Sequence, residues 1–99
     1  MAVSKIKSNT WVLIKANVHG TTSESIDLSG YSEILLTLAG TTDNVATASV
    51  YPLPFAKTMA TINVVYTTSQ GAYKYGRLTD SCTKALTGDS STYMNIFAR

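Results

Sequence analysis

The strongest constraint in this 99-residue chain is an apolar rhythm of period two that comes in short bursts and never lengthens into a helical one. Alternation of that kind places every second side chain on one face of a strand. In Tyr31 to Ala39 the inward set is Ile34, Leu36 and Leu38, and in Ala60 to Thr67 it is Ile62, Val64 and Tyr66. Thr10 to His19 offers Val12, Ile14, Ala16 and Val18 as its inward face. Shorter pieces follow the same rule at Ser25 to Leu28, Ala72 to Thr79, Cys82 to Thr87 and Thr92 to Ala98. Val45 to Phe55 begins as a strand, but Pro52 and Pro54 cannot donate ladder hydrogen bonds, so its second half reads as an edge or a loop. Gly, Asn, Asp and Ser clusters separate the bursts, as turns require. About seven or eight strands at this spacing predict an all-β fold, an antiparallel β-sandwich of jelly-roll-like type. We read residues 1–99 as one domain, with 1–9 as an extended or flexible N-terminal arm.

Such a fold needs a hydrated surface, and here charge does not supply it. Charged residues make up 14% of the chain, while 15 Thr and 11 Ser take their place; an average soluble domain carries about 25% charge. Threonine is β-branched and fits a pleated surface, so the exchange of charges for hydroxyls is itself a strand signal. Eight scattered Lys and Arg with a net charge of +2 give no nucleic-acid footprint. The run Ile34-Leu35-Leu36 with Leu38-Ala39 is far shorter than the ~20 residues of a membrane helix. The single Cys82 excludes an internal disulfide and, with the single His19, a Cys/His zinc site, and no cofactor is expected. A domain of this size buries only ~60–65% of its unfolded surface, which makes self-association a natural source of added stability. Charged side chains usually deter strand edges from pairing; their scarcity reads as a β-domain suited to packing in an assembly.

Catalytic constellations are weak. The carboxylates Glu24, Asp27, Glu33, Asp43, Asp80 and Asp89 mostly sit in or beside turns, where Asp satisfies local backbone donors. His19 ends a strand without a nucleophile motif, and a base needs an orienting partner. Cys82 and Lys84 would share a face if both lay on one strand, which would lower the thiol pKa; a small buried side chain is the simpler role. The six glycines are spread singly through the chain and cradle no phosphate. The chain does not read as an enzyme.

Binding has better material. Tyr73, Tyr75 and Arg77 alternate on one strand and project from one face. A flat phenol and a forked guanidinium can meet the apolar ring face and the hydroxyl rim of a sugar together, which makes these three the candidate ligand contacts. Trp11 and Leu13 fall opposite the inward set of their strand, as do Tyr31 and Leu35 of theirs. These four are the candidate subunit interface, because apolar residues on an outer sheet face mark interaction sites.

Two phrases carry a resemblance. The segment Ser25-Ile26-Asp27-Leu28-Ser29-Gly30-Tyr31-Ser32-Glu33-Ile34-Leu35-Leu36 and the ending Tyr93-Met94-Asn95-Ile96-Phe97-Ala98-Arg99 resemble C-terminal β-domains of phage tail-fibre and receptor-binding structural proteins. The resemblance rests directly on 19 of the 99 residues, about a fifth of the chain, and includes no catalytic motif. It implies a non-enzymatic tip module, a homotrimer found in the virion and made in the bacterial host cytoplasm, which contacts cell-surface glycan and other virion proteins. It implies neither nucleic-acid binding nor membrane insertion. Two other readings fit the same residues: a purely structural virion protein for head decoration or tail assembly, and a small monomeric carbohydrate-binding module.

Overall fold

The alternating segments become strands nearly where the rhythm places them. The computed structural model describes residues 10–42 and 44–99, so the arm expected over 1–9 lies outside the described residues, as does Asp43. In chain order the elements are β1 (Val12–His19), β2 (Glu24–Ser25), β3 (Glu33–Gly40), β4 (Ala46–Pro52), the single helical turn α1 (Leu53–Ala56), β5 (Thr61–Thr67), β6 (Tyr73–Thr79), β7 (Lys84–Thr87) and β8 (Thr92–Ala98). They form two four-stranded sheets, sheet I in the order β1-β8-β3-β4 and sheet II in the order β2-β7-β6-β5. Every pairing among them is antiparallel.

The fold is thus the β-sandwich that the alternation predicts. Its outer pairs wrap as in a jelly roll, with β1 on β8 and β2 on β7, while β3 pairs with β4 and β5 with β6 as neighbours in sequence. The second half of the Val45–Phe55 segment leaves the sheet as the turn of helix, with Pro54 in its first turn, where a missing N–H costs nothing.

The core lies between the sheets. Ile34, Leu36 and Leu38 of β3 and Met94, Ile96 and Ala98 of β8 are buried opposite Val64 of β5, Leu78 of β6 and Ala85 of β7. Gly76 of β6 sets the closeness of the sheets: a Cβ there would stand 2.5 Å from Sδ of Met94 and 3.2 Å from Leu38. Removing a fully buried leucine such as Leu36 therefore costs about 2–5 kcal/mol by Leu→Ala.

β1 departs from its sequence reading. Val18 is buried and Ile14 packs on the core, but Val12 and Ala16 are exposed. Two register shifts against β8, between Leu13 and Lys15 and between Lys15 and Val18, break the expected single inward face. Each extra residue of a bulge moves the following side chains to the other phase. Asn17 takes φ of 58° in the second shift, and its N–H donates to Oδ1 of Asn95 at 2.9 Å, which satisfies an amide in the irregular stretch.

At one end of the sandwich two buried threonines tie the turns together. Thr87 Oγ1 accepts from Gly20 N–H at 2.7 Å and donates to the Asp89 carbonyl at 2.7 Å. The Asp89 carboxylate accepts from Lys74 Nζ at 2.7 Å, Thr92 Oγ1 at 2.7 Å, and the Ser91 hydroxyl and N–H. These donors, the Lys74 ammonium first, hold the Asp89 carboxyl well below the usual carboxylate range. A depressed folded-state pKa gives stability that is present above the unfolded value near ~3.9 and lost as pH falls toward the folded one. Urea unfolding followed between about pH 4 and pH 2 is therefore expected to give falling midpoints, and Asp89→Asn to flatten that fall. Asp27, lowered by its hydrogen bonds from Ser29, leaves a residual slope in the same window. Thr87→Val removes both side-chain bonds but leaves the Gly20 N–H bonded to the Asp89 carbonyl at 3.0 Å, and is expected to cost about 1 kcal/mol in the same assay at neutral pH.

Candidate functional site

Sheet II positions the ligand candidates by register. β6 alternates Tyr73, Tyr75 and Arg77 outward with Gly76 and Leu78 inward. Val65 of β5 stands opposite Tyr75 and Asn63 opposite Arg77; on the other side Leu86 of β7 stands opposite Arg77. The three residues do come together. The Tyr73 and Tyr75 rings lie 5.8 Å apart between centroids, tilted by 37°, and the Arg77 guanidinium carbon sits 4.4 Å from the centroid of Tyr75. Arg77 Nε donates to Oδ1 of Asn63 at 2.8 Å.

Sequence reasoning missed two partners of this ladder. Asn63 aims the guanidinium, and only the β5–β6 register brings it there. Gly88 was legible as a turn residue, yet its structural task is close approach: a Cβ would stand 2.7 Å from Cε2 of Tyr75. Its N–H also donates to the Tyr75 carbonyl at 3.0 Å. The tyrosine ring thus lies flat over the end of β7, while Arg77 covers part of one face. Tyr73, 60% exposed, offers the freer ring. Chemically, the ladder can stack the apolar face of one sugar ring on Tyr73 and hydrogen-bond the hydroxyls of another through Arg77.

The outer face of sheet I is different in kind. Register places Leu13, Phe97, Leu35 and Val50 in one row across all four strands. Leu13 and Val50 are 53% and 52% exposed, and Phe97 and Leu35 are half-buried. Of the four interface candidates, Leu13 and Leu35 stand in this row. Trp11 lies just before β1, with the Arg99 guanidinium 4.2 Å from its ring centroid and Arg99 Nε bonded to Oε1 of Glu33 at 2.8 Å. Tyr31 stands apart: it precedes β3 and packs half-buried against the core. Phe97 and Val50 were not readable as members of the row without the pairing.

The residues weighed for catalysis have structural settings. His19 stacks on Tyr93 at 4.8 Å, with Nδ1 3.1 Å from the Asn17 carbonyl. Cys82 lies in the turn before β7, not on the strand with Lys84, and is buried. Burial pushes its thiol pKa up, opposite to the activation that a shared strand face would bring. Its turn holds Asp80, Ser81 and Cys82 at φ of 52°, 55° and 68°, a left-handed run that costs roughly 1–2 kcal/mol per non-glycine residue. Where the β5–β6 turn approaches Thr42, an open depression of about 280 Å³ is lined by Thr42, Thr68, Ser69 and Gln70, neutral groups fit for hydrogen bonding alone. Compared with family models, curated proteins and solved structures, the chain matches none of them.

Two outcomes test this geometry. Gly88→Ala is expected to displace the Tyr75 ring, so the Arg77 side-chain proton resonances, shifted by the ring beneath them, move toward their free values. Ser81→Gly is expected to raise the thermal midpoint, since glycine relieves the left-handed strain at a smaller entropic cost.

Proposed function

We propose that this chain is a non-enzymatic structural module of a phage or prophage particle, a tail-fibre or receptor-binding tip that assembles as a homotrimer and attaches to host-surface glycan. The observation that carries the attachment half is the Tyr73–Tyr75–Arg77 ladder, an aromatic and guanidinium surface on an otherwise hydroxyl-rich sheet face. Single sugar contacts on such a face are weak, and repetition by symmetry raises their combined strength through effective concentration. The phage context rests on the resemblance of Ser25–Leu36 and Tyr93–Arg99 to tail-fibre domains.

The assembly half draws on the Leu13–Phe97–Leu35–Val50 row and on the open edges. Strands of seven or eight residues, four abreast, make a face of about 20 by 25 Å. Two such faces together approach the ~1,000 Å² a specific interface requires, so a second copy of the chain is a sufficient occupant. β4 and β5, the edge strands on one side, contain no charged residue, so identical copies meet there without like-charge repulsion. The same row favours the second reading, a head-decoration or tail-assembly protein without a ligand.

Light scattering on the eluted protein is expected to give three times the 10.6 kDa chain mass; a monomer at micromolar concentration contradicts the trimer. Leu35→Asp is expected to yield a smaller species that keeps its β-sheet circular dichroism. Tyr73→Ala is expected to weaken whole-cell binding roughly tenfold or more at unchanged mass. If Tyr73→Ala instead lowers the mass and wild-type protein binds neither cells nor a glycan array, the purely structural reading holds.

A further inference from the structure

The outer face of sheet II carries an unbalanced pair of cations. Lys84 and Leu86 are the outward residues of β7, and Lys84 stands opposite Thr79 while Leu86 stands opposite Arg77. Lys84 is therefore the diagonal cross-strand neighbour of Arg77, at about 7–8 Å between backbones, while the guanidinium itself leans the other way, toward Asn63 of β5 and over Tyr75. The ion pairs among the described residues are Lys15–Glu24, Lys74–Asp89 and Arg99–Glu33, and they include neither Arg77 nor Lys84. The other outward positions of β5, β6 and β7 are Thr, Asn, Val, Tyr and Leu; on the fourth strand Ser25 of β2 stands opposite Lys84, Glu24 pairs with Lys15, and Asp27 beyond it accepts from Ser29. Asp80 stands in the turn beyond β6, where its carbonyl accepts from Thr83 Oγ1.

Like charges on neighbouring strands oppose one another, and a protein with so few charges has no need to place two of them together on one face. Anionic groups on a ligand that spans them turn that repulsion into attraction. Arg77 is also pre-oriented: its Nε is committed to Asn63 and its plane rests near Tyr75, so less freedom is lost when the Nη groups bind. A guanidinium fork and an adjacent ammonium suit a carboxylate or a phosphate, through charge-assisted hydrogen bonds.

We infer that the glycan this face takes is acidic, with carboxylates or phosphates along it meeting Arg77 and Lys84 while a neighbouring sugar ring lies on Tyr73. The inference rests on the attachment reading and names the chemical class of its ligand. Arg77 and Tyr73 are four residues apart on one strand, about 13 Å, so the anion and the stacked ring belong to different parts of one chain of sugars.

The test is affinity electrophoresis of the full chain in gels that contain polygalacturonate, a glycerol-phosphate polymer or neutral dextran. Retardation by at least one acidic polymer, falling with added salt, and none by dextran is the expected result. The two acidic gels separate the carboxylate source from the phosphate source. Lys84→Gln and Arg77→Gln are each expected to weaken retardation roughly tenfold or more, and Lys57→Gln, beyond α1, to leave it unchanged. Arg77→Lys keeps the charge and is expected to retain part of the binding, which separates lost charge from lost folding. Retardation by dextran that Lys84→Gln does not alter overturns the acidic ligand and leaves glycan attachment standing. Folded protein that no polymer retards, and that binds no cells, overturns both.

Discussion

Sheet I exists because the last strand enters its middle. β8 pairs with β1 on one side and β3 on the other, so within sheet I the first described strand is joined to the rest through the last one. Closing that long loop costs entropy that local contacts do not offset, and topologies of this kind fold slowly. The core depends on the same strand, since Met94, Ile96 and Ala98 face Leu78 and Val64 across the sandwich, with Gly76 permitting the approach. Sheet II has the opposite character. β5, β6 and β7 follow one another in sequence and pair through short turns.

That contrast divides the molecule by face as well. The tyrosine–arginine ladder is built within three consecutive strands and is set by local register. The Leu13–Phe97–Leu35–Val50 row needs both ends of the chain in place. A surface complete only in the finished fold cannot be presented by unfolded copies. The ladder, with Gly88 beside Tyr75 and Asn63 aiming Arg77, is held in its geometry by immediate strand neighbours. Hydroxyls cover much of the remainder, which keeps the surface hydrated with few charges to oppose close packing.

Much of this was legible in the sequence because period-two alternation needs no partner to be read. Ile34, Leu36 and Leu38 had to face one way, and so did Tyr73, Tyr75 and Arg77. β1 escaped because its bulges change phase without changing composition; the local signal was Asn17, a residue type that tolerates the left-handed conformation inside a run otherwise fit for a strand. The helical turn at Leu53–Ala56 is too short to show a period. Cross-strand neighbours were not legible at all: Asn63 beside Arg77, Lys84 diagonal to it, and Phe97 between Leu13 and Leu35 are products of pairing. Tyr31 illustrates the same point from the other side, since alternation assigned it an outer face while the loop before β3 folds it against the core.

The central claim is that one outer face meets ligand and the other meets copies of the chain. Amide chemical-shift mapping of the labelled protein, titrated with polysaccharide extracted from a cell surface that it binds, addresses that division directly. The account predicts shifts concentrated at residues 61–67, 73–79 and 84–88, with the amides of Leu13, Leu35, Val50 and Phe97 unmoved. Shifts centred on the Leu13–Phe97–Leu35–Val50 row, with β6 silent, would contradict it.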